Sequence, residues 1–465
     1  MRQFLKKKGE INRPQELFLT LSLIAGLIMI LMIPPLKAPD EINHFAKAEA
    51  ITEFQVIPRS NNKLKVIKEH KNMKTWNEFG FVLNGNIKSL SDISDESSDN
   101  FPFKEMLHLS KHTKKFVATQ GISNYFILSF FPQAVGISIA KILFLPFFLQ
   151  YYFARIFNLL FYVLIVFIAI KIFPFSKWII SIIALNPMAI FLASSTSGDA
   201  LINAFSFLFI SYIFFLLGKN TTIKNMDMMK SGLLLCCLVL MKPNNIVFGM
   251  LYFLFPNKQL RVRLKVLWGG TILFMSLIMY KIWNSYMISQ ELIYRDFADP
   301  NRQMKLFIMN PFIFIKNFFL HFIIGSNSTE IIQSYAGNFG QLNIPISIFW
   351  VFLYILTVLI GAVGFPSTYT LNWQSKVEIA VINFAYILLT FFALYLIWNP
   401  VESSVDILGV QGRYFIAPSL LTAILFVSHE KQFLLSEKRV VNIIYINMIL
   451  IYVVTLFAIF HAYFC

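Results

Sequence analysis

The residues best suited to chemistry follow directly on the first apolar run of the chain. The segment "PPLKAPDEINHF" (34–45) begins as the uncharged run Leu17–Leu36 ends, and it presents Asp40, Glu41 and His44 within five residues. A membrane anchor needs some flanking charge, but scattered lysines would supply it. Two adjacent carboxylates, with a His four residues after the first, instead predict a functional site.

Further polar residues stand where other apolar runs begin or end. They are Arg155, Asp199 at the end of "SSTSGD", Lys242 in "MKPNN", and Gln411, Arg413 and Tyr414 in "GVQGRY". With Asp40, Glu41 and His44 they are predicted to share the outer face of a membrane domain. Together they would offer carboxylates for proton transfer and cations for a phosphate at the depth of a lipid headgroup.

The elements that must position these residues are transmembrane helices. Of 465 residues, 57% are hydrophobic and 14% are charged, whereas soluble proteins average about 25% charged residues. The net charge of +16 does not indicate nucleic acid, because no continuous basic stripe carries it. The three cysteines and the scattered acidic residues form no disulfide framework or metal spacing, so neither a cofactor nor a divalent metal is indicated.

Apolar runs predict eleven membrane spans and an all-α, polytopic fold. The predicted spans are 17–36, 151–173, 177–193, 199–218, 231–241, 244–256, 265–286, 346–363, 377–398, 412–427 and 440–462. The run 124–147 contains prolines and a lysine, which favours an interfacial or re-entrant segment. For 231–256, two short spans that turn at "KPNN" are favoured, while a single kinked helix remains the alternative.

Lysine and arginine in short loops predict the orientation. The basic N-terminal segment "MRQFLKKKGEINR" places the N-terminus inside, and eleven spans then place the C-terminus outside. Residues 37–150 and 287–345 become two large extracytoplasmic loops. We divide the chain into a transmembrane domain at 1–428, which includes both loops, and an inner loop with the last helix at 429–465.

Each polar signal also has a structural interpretation. Asp40 could cap a helix that begins near Ile42, and Asp199 could cap the span that follows it. Arg155 and Lys242 could extend to lipid phosphates, and Arg413 beside Tyr414 could be an interfacial anchor. For His44, a local hydrogen bond competes with a role at the site.

Four segments resemble a known family. "PPLKAPDEINHFAKAEAI", "ALNPMAIFLASSTSGDALINA", "MKPNN" and "GVQGRYFIAPSLL" are similar, in sequence and order, to the marker segments of a bacterial membrane family, domain of unknown function 2142. That family resembles the polytopic GT-C glycosyltransferases. The resemblance implies an acidic base or metal ligand in the first outer loop, here Asp40 beside Glu41, and a second acidic residue, here Asp199. It also implies a cation near the lipid phosphate, here Lys242.

The resemblance implies an inverting GT-C-type glycosyltransferase of the bacterial cytoplasmic (inner) membrane. It would transfer a sugar from a polyprenyl-phosphate donor to an envelope glycan on the extracytoplasmic face, with Asp40, Glu41 and Asp199 as catalytic candidates. His44, Arg155, Lys242, Gln411, Arg413 and Tyr414 would bind the substrates. The alternatives are a transporter or flippase for a lipid-linked glycan, and a scaffold for glycan assembly that would tolerate the loss of Asp40.

Overall fold

A computed structural model describes residues 14–66, 75–90, 113–119, 125–219, 221–288, 298–324, 328–367, 369–401, 407–428 and 435–465. The basic N-terminal segment and residues 429–434, which the orientation argument uses, lie outside these ranges.

The described chain is mostly helical. Its α-helices are α1 (Pro14–Met32), α2 (Glu41–Thr52), α3 (Phe131–Ile142), α4 (Phe147–Ile172), α5 (Lys177–Ala184), α6 (Pro187–Ala193), α7 (Asp199–Gly218), α8 (Asn225–Met241), α9 (Val262–Ile288), α10 (Pro300–Met309), α11 (Pro311–Ile324), α12 (Ser328–Ala336), α13 (Ile348–Val363), α14 (Trp373–Trp398), α15 (Ser419–Ile424) and α16 (Glu437–Phe464).

Six helices in the described ranges are long and apolar enough to cross a membrane. They are Pro14–Met32, Phe147–Ile172, Asp199–Gly218, Val262–Met287, Trp373–Trp398 and Glu437–Phe464. Each coincides with one of the predicted runs, so the chain is a membrane protein with several candidate spans. The other five runs form shorter or interrupted helices, such as the sixteen-residue helix Ile348–Val363, and the count of eleven stays a prediction.

The predicted span 177–193 is interrupted at Asn186 and Pro187. The proline has no N–H and cannot continue the ladder of the preceding turn. The Asn186 side chain then starts the next helix, because its oxygen accepts hydrogen bonds from the backbone N–H groups of Met188 (2.8 Å) and Ala189 (3.3 Å). This break leads the chain into the buried segment "SSTSG" that precedes Asp199.

Tyrosine hydroxyls from neighbouring helices satisfy the carbonyl groups that the break leaves without helical partners. A broken helix is tolerated at membrane depth only where the protein itself provides such partners. The hydroxyl donors and carbonyl acceptors are Tyr162 to Ala184 (2.7 Å), Tyr354 to Ile182 (3.3 Å) and Tyr452 to Leu185 (3.0 Å). The break is therefore a built feature of the helical core.

The apolar run 231–256 is interrupted at Lys242. Helix α8 ends at Met241, Lys242 is extended (φ −152°, ψ 109°), and a 3-10 helix continues over Pro243–Leu254. Both segments pack against α9. The structure thus places the interruption where the sequence predicted a turn.

The segment 37–150 contains a small sheet that the all-α prediction missed. Strands β1 (Arg59–Val66), β2 (Thr75–Asn84) and β3 (Lys114–Ala118) form an antiparallel sheet in the order β1-β2-β3. Alternate residues of β2, Phe81 and Leu83, are fully buried, as expected for a strand with one face on a core. The sheet packs through β2 against α2, the helix that follows Asp40.

The described residues of the segment 287–345 also form regular secondary structure. Helices α10 and α11 each begin with a proline, and the residue before it caps the helix: Asp299 accepts from Arg302 N at 3.0 Å and Asn310 from Phe312 N at 3.2 Å. Helix α12 and a hairpin of β4 (Asn338–Phe339) and β5 (Ile344–Pro345) follow. Helix α12 matters for function because it packs against the 3-10 helix Gly412–Phe415.

Candidate functional site

Asp40 lies at the corner between α1 and α2 in a left-handed backbone conformation (φ 57°, ψ 15°). Short polar residues tolerate this region better than most. Its carboxylate makes no capping hydrogen bond to α2, so the interpretation of Asp40 as a helix cap is wrong. The side chain is about half exposed and lies 3.0 Å from Arg413 Nη2, a partner 373 residues away in the sequence.

Glu41, the next residue, is fully buried and bound on all sides. Its two oxygens accept hydrogen bonds from Arg155 Nε and Nη2, both at 2.9 Å. They also accept from the backbone N–H groups of Ala38 and Thr196, both at 3.1 Å. A carboxylate whose acceptor sites are filled in this way is a poor base, so we assign Glu41 a positioning role.

Arg155 is the other half of this buried pair. Beyond Glu41, its guanidinium donates to the carbonyl groups of Ile33 (2.6 Å) and Pro34 (3.0 Å) and to the hydroxyl of Tyr151 (3.1 Å). Its side chain is 0% exposed, so extension to a lipid phosphate is the wrong interpretation. Arg155 fixes the corner that presents Asp40, and no donor of the guanidinium is left for a substrate phosphate.

Arg413 stands at the centre of the site. It is 5% exposed, so it is not an ordinary interfacial anchor. Its guanidinium lies 3.0 Å from Asp40 Oδ2 and 3.3 Å from Asp199 Oδ2, and its Nε donates to Gln411 Oε1 at 2.6 Å. Its Nη1 atom is the one that lies 3.3 Å from Asp199 Oδ2, yet it makes no hydrogen bond to a described residue, so this nitrogen retains donor capacity beside the two carboxylates.

Helix α12 positions Arg413 through the preceding glycine. The N–H of Gly412 donates to Ser334 Oγ at 2.8 Å. A Cβ atom at position 412 would lie only 2.0 Å from the carbonyl oxygen of Ile331. Only glycine permits this approach of backbone to backbone, which explains the glycine in "QGRY".

Asp199 is presented by the buried segment that follows the broken helix. It is the first residue of α7, Gly198 occupies the cap position, and the N–H of Asp199 itself donates to Ser197 Oγ at 3.3 Å, so the capping interpretation of Asp199 is wrong. Asn158 Nδ2 donates to the carbonyl groups of Ser195 (2.8 Å) and Ser197 (3.1 Å). These bonds hold the segment so that the Asp199 carboxylate faces Arg413.

Lys242 supplies a second cation beside Arg413. Its Nζ lies 4.1 Å from the ring centroid of Tyr414, and the Arg413 Cζ lies 5.4 Å from the same centroid. Burial lowers the pKa of Lys242 below its usual value, and the charge of Asp199 opposes that shift. Lys242 and Arg413 therefore both contact the Tyr414 ring, and both interact with the charge of Asp199.

His44 lies behind the carboxylates, on the first turn of α2. Its side chain is 4% exposed, its Nδ1 has no hydrogen-bond partner among the described residues, and its ring centroid lies 5.3 Å from that of Phe130. Burial lowers the pKa of His44, against the opposing charges of Asp40 and Asp199. The imidazole is therefore neutral near pH 7 and can donate or accept a proton.

The structure thus brings Asp40, Asp199, Arg413, Lys242 and His44 into one site, with Gln411 and Tyr414 in contact with Arg413. A half-exposed carboxylate beside a buried guanidinium suits proton abstraction next to stabilisation of an anion. In the part of the chain that the structure describes, no group of three or more His, Cys, Asp and Glu residues could hold a metal ion.

Comparison with protein families shows the family to which the chain belongs. The model of the family described as "Predicted membrane protein (DUF2142)" matches residues 23–422. The chain belongs to this family. The match includes every residue of the site and confirms the family resemblance that the sequence segments indicated. No curated protein and no solved structure matches the chain.

Sequence reasoning missed three polar residues of this DUF2142 protein. Gln133 Nε2 donates to Asn158 Oδ1 at 3.0 Å and to the carbonyl of Ser197 at 3.2 Å, so Gln133 and Asn158 together hold the segment before Asp199. A polar amide inside an apolar run was the available signal. Tyr125, which is within electrostatic reach of Asp40, Asp199 and Arg413, carried no such signal.

Proposed function

We propose that this DUF2142 protein is a GT-C-like glycosyltransferase. It transfers a sugar from a polyprenyl-phosphate carrier to a cell-envelope glycan on the extracytoplasmic face of the bacterial inner membrane. The observation that carries the proposal is Arg413 held between the carboxylates of Asp40 and Asp199. An inverting transfer needs a base for the acceptor hydroxyl and fixed positive charge for the departing lipid phosphate. The carboxylates can supply the base, and Arg413, which lies within 3.3 Å of each, supplies the positive charge.

The roles follow from burial and charge. Asp40 is the base, because its side chain is the more exposed of the two carboxylates, 52% against 19%. Arg413 and Lys242 neutralise the phosphate, and Asp199 keeps Arg413 oriented. The Glu41–Arg155 pair positions the corner and does not touch the substrate.

A transporter or flippase for a lipid-linked glycan is the second candidate. The helix broken at Asn186 and Pro187 favours it, because transporters build their sites from discontinuous helices at mid-membrane. The charged residues of the site nevertheless lie at ends of predicted spans that the loop charges place on the outer face rather than at mid-membrane: Asp199 begins α7, and Lys242 follows the end of α8. This placement favours the enzyme.

The donor distinguishes these proposals. The purified protein is given one acceptor glycan and either a polyprenyl-phosphate sugar or the matching nucleotide sugar, across a panel of sugars. We expect transfer from the lipid-linked donor alone, because in the cell an outward site meets only donors that a lipid carries there, and Arg413 and Lys242 are placed for one lipid phosphate. Transfer from the nucleotide sugar alone would overturn the donor assignment, and a failure of both donors would favour the transporter.

The proposal requires that the site face the outside of the cell, and this fixes the orientation of the chain in the membrane. With eleven spans the N-terminus is inside and the C-terminus outside. In a variant without native cysteines, a cysteine at Arg261 or Arg263 should resist an impermeant maleimide in intact cells and react after permeabilisation. In a matched variant that retains only Cys465, which is exposed, the thiol should react in intact cells. Labelling of position 261 or 263 in intact cells would contradict this orientation.

A further inference from the structure

An apolar groove lies beside the candidate site. It has a volume of about 430 Å³ and its wall includes Ile57, Phe126, Leu240, Met279, Ile282 and Trp283. None of the side chains that line it is charged. The volume falls within the range of about 300–1,000 Å³ that small-molecule sites occupy.

The groove is formed by elements that also carry the site. Leu240 lies on α8 two residues before Lys242, and Phe126 directly follows Tyr125. The opposite wall is the last part of α9, which includes Met279 and Ile282.

Aromatic contacts, joined by the adjacent residues Tyr125 and Phe126, run from the site to the wall of the groove. The His44 ring lies 5.3 Å from Phe130, and Phe130 stacks on Tyr125 with centroids 6.5 Å apart. Phe126, the neighbour of Tyr125, makes an edge-to-face contact with Trp283 at 4.9 Å. Neighbouring residues therefore link the site and the groove, as a ligand with an anionic head and an apolar tail requires.

We infer that this groove holds the isoprenoid chain of the phosphorylated lipid whose phosphate lies at Arg413 and Lys242. The inference rests on the proposed function and assigns the substrate's tail to named residues. The occupant is one apolar chain on an anionic head, because the uncharged wall of the groove includes Leu240 on the last turn of α8, and Lys242 directly follows that helix. Methionine and aromatic side chains in the wall can adapt to a branched chain.

The groove acts by orientation rather than by hydrophobic gain. A lipid chain leaves one apolar environment for another when it moves from the bilayer into the groove, so little free energy is gained from burial. Its contact with the wall instead fixes the direction in which the phosphate and sugar enter the site, and correct orientation of reacting groups is itself a large rate factor.

A photoreactive lipid tests the assignment without relying on activity. The purified full chain in nanodiscs is irradiated with a polyprenyl monophosphate that carries a benzophenone in its first isoprene units, and labelled peptides are identified by mass spectrometry. We expect labelling within 279–287 that excess unlabelled polyprenyl monophosphate suppresses and excess dioleoyl phosphatidic acid does not. Equal competition by phosphatidic acid would show an ordinary phospholipid cleft and overturn the inference, as would labelling confined to other segments.

A pair of substitutions on one helix provides the control. Ile282 and Leu277 both lie on α9 and are 52% and 51% exposed, but only Ile282 lines the groove. Ile282→Trp overfills the groove and should reduce labelling about tenfold, an effect in the range known for overpacked sites. Leu277→Trp should leave labelling unchanged, and equal labelling of the two variants would overturn the inference.

The outcomes separate this inference from the proposed function. If competed labelling occurs at 279–287 but no donor supports transfer, the groove assignment stands and the glycosyltransferase proposal fails. If the protein transfers sugar but Ile282→Trp changes neither the labelling nor the KM for the long-chain donor, the groove assignment fails alone.

Discussion

Asp40→Asn is expected to reduce sugar transfer by about 10²–10⁴-fold, the usual cost of losing a general base. The amide has the shape of the carboxylate but cannot accept the proton of the acceptor hydroxyl. Asp40 makes no capping bond to α2 and is about half exposed, so the substitution should leave the fold intact. The measurement is the transfer rate of purified variant and wild type at saturating donor and acceptor, together with the unfolding temperature of each.

Two further acid-to-amide substitutions give this experiment its controls. Glu330→Gln changes an exposed carboxylate on α12 outside the site and should alter neither rate nor stability. Glu41→Gln should instead destabilise the protein by about 3–5 kcal/mol, because it leaves Arg155 as an uncompensated buried charge. A near wild-type rate for Asp40→Asn would reject Asp40 as the base, and a loss of stability equal to that of Glu41→Gln would make its inactivity uninformative.

The contrast between Asp40 and Glu41 shows where sequence reasoning stops. Charge beside an apolar run indicated that both residues matter, and neither composition nor spacing distinguished their roles. The distinction depends on the left-handed backbone conformation of Asp40. It also depends on the guanidinium of Arg155, 114 residues away in the sequence, which donates hydrogen bonds to the Glu41 carboxylate. Contacts between distant segments of this kind have no local signature in a single sequence.

The sequence predicts which charged residues meet in the site better than it predicts which polar residues hold them in place. Alternation of inside and outside along apolar runs predicts that Asp40, Asp199, Lys242 and Arg413 share one membrane face, and the structure brings these four side chains together. The residues that hold the site in place are harder to predict. Asn158 and Gln133 do so by donating to backbone carbonyl groups of "SSTSG". Almost any polar residue can make bonds to the backbone, so the sequence does not mark which ones do.

The small sheet was missed for a related reason. Strand β1 reads "RSNNKLKV", which lacks the alternation of apolar and polar residues that identifies a half-buried strand. Only β2, with Phe81 and Leu83 on its buried face, carries the pattern, and one strand cannot indicate its partners. Long apolar helices, by contrast, are identified by composition alone, as the six candidate spans illustrate.

Arg413→Lys is expected to lower kcat by about 10²–10³-fold, the effect of removing one donor aimed at developing charge. The charge is kept, but the planar fork that reaches Asp40, Asp199 and Gln411 at once is lost. An ammonium is a compact point charge and cannot hold two phosphate oxygens in one plane. The loss should appear in kcat more than in the KM for the donor, because the negative charge on the leaving phosphate grows only as the glycosidic bond breaks.

Arg439→Lys is the matched control, since Arg439 is exposed on the first turn of α16, which follows a loop predicted to lie inside. It should transfer sugar at the wild-type rate. A second variant, Arg413→Ala, tests the same role differently: free guanidinium added to the assay should restore part of its activity, while ammonium should not, because only guanidinium reproduces the lost fork. If Arg413→Lys retained wild-type kcat, the leaving phosphate would not depend on this side chain. Lys242 would then have to neutralise the phosphate, and Arg413 would serve only to hold Asp40 and Asp199 in place.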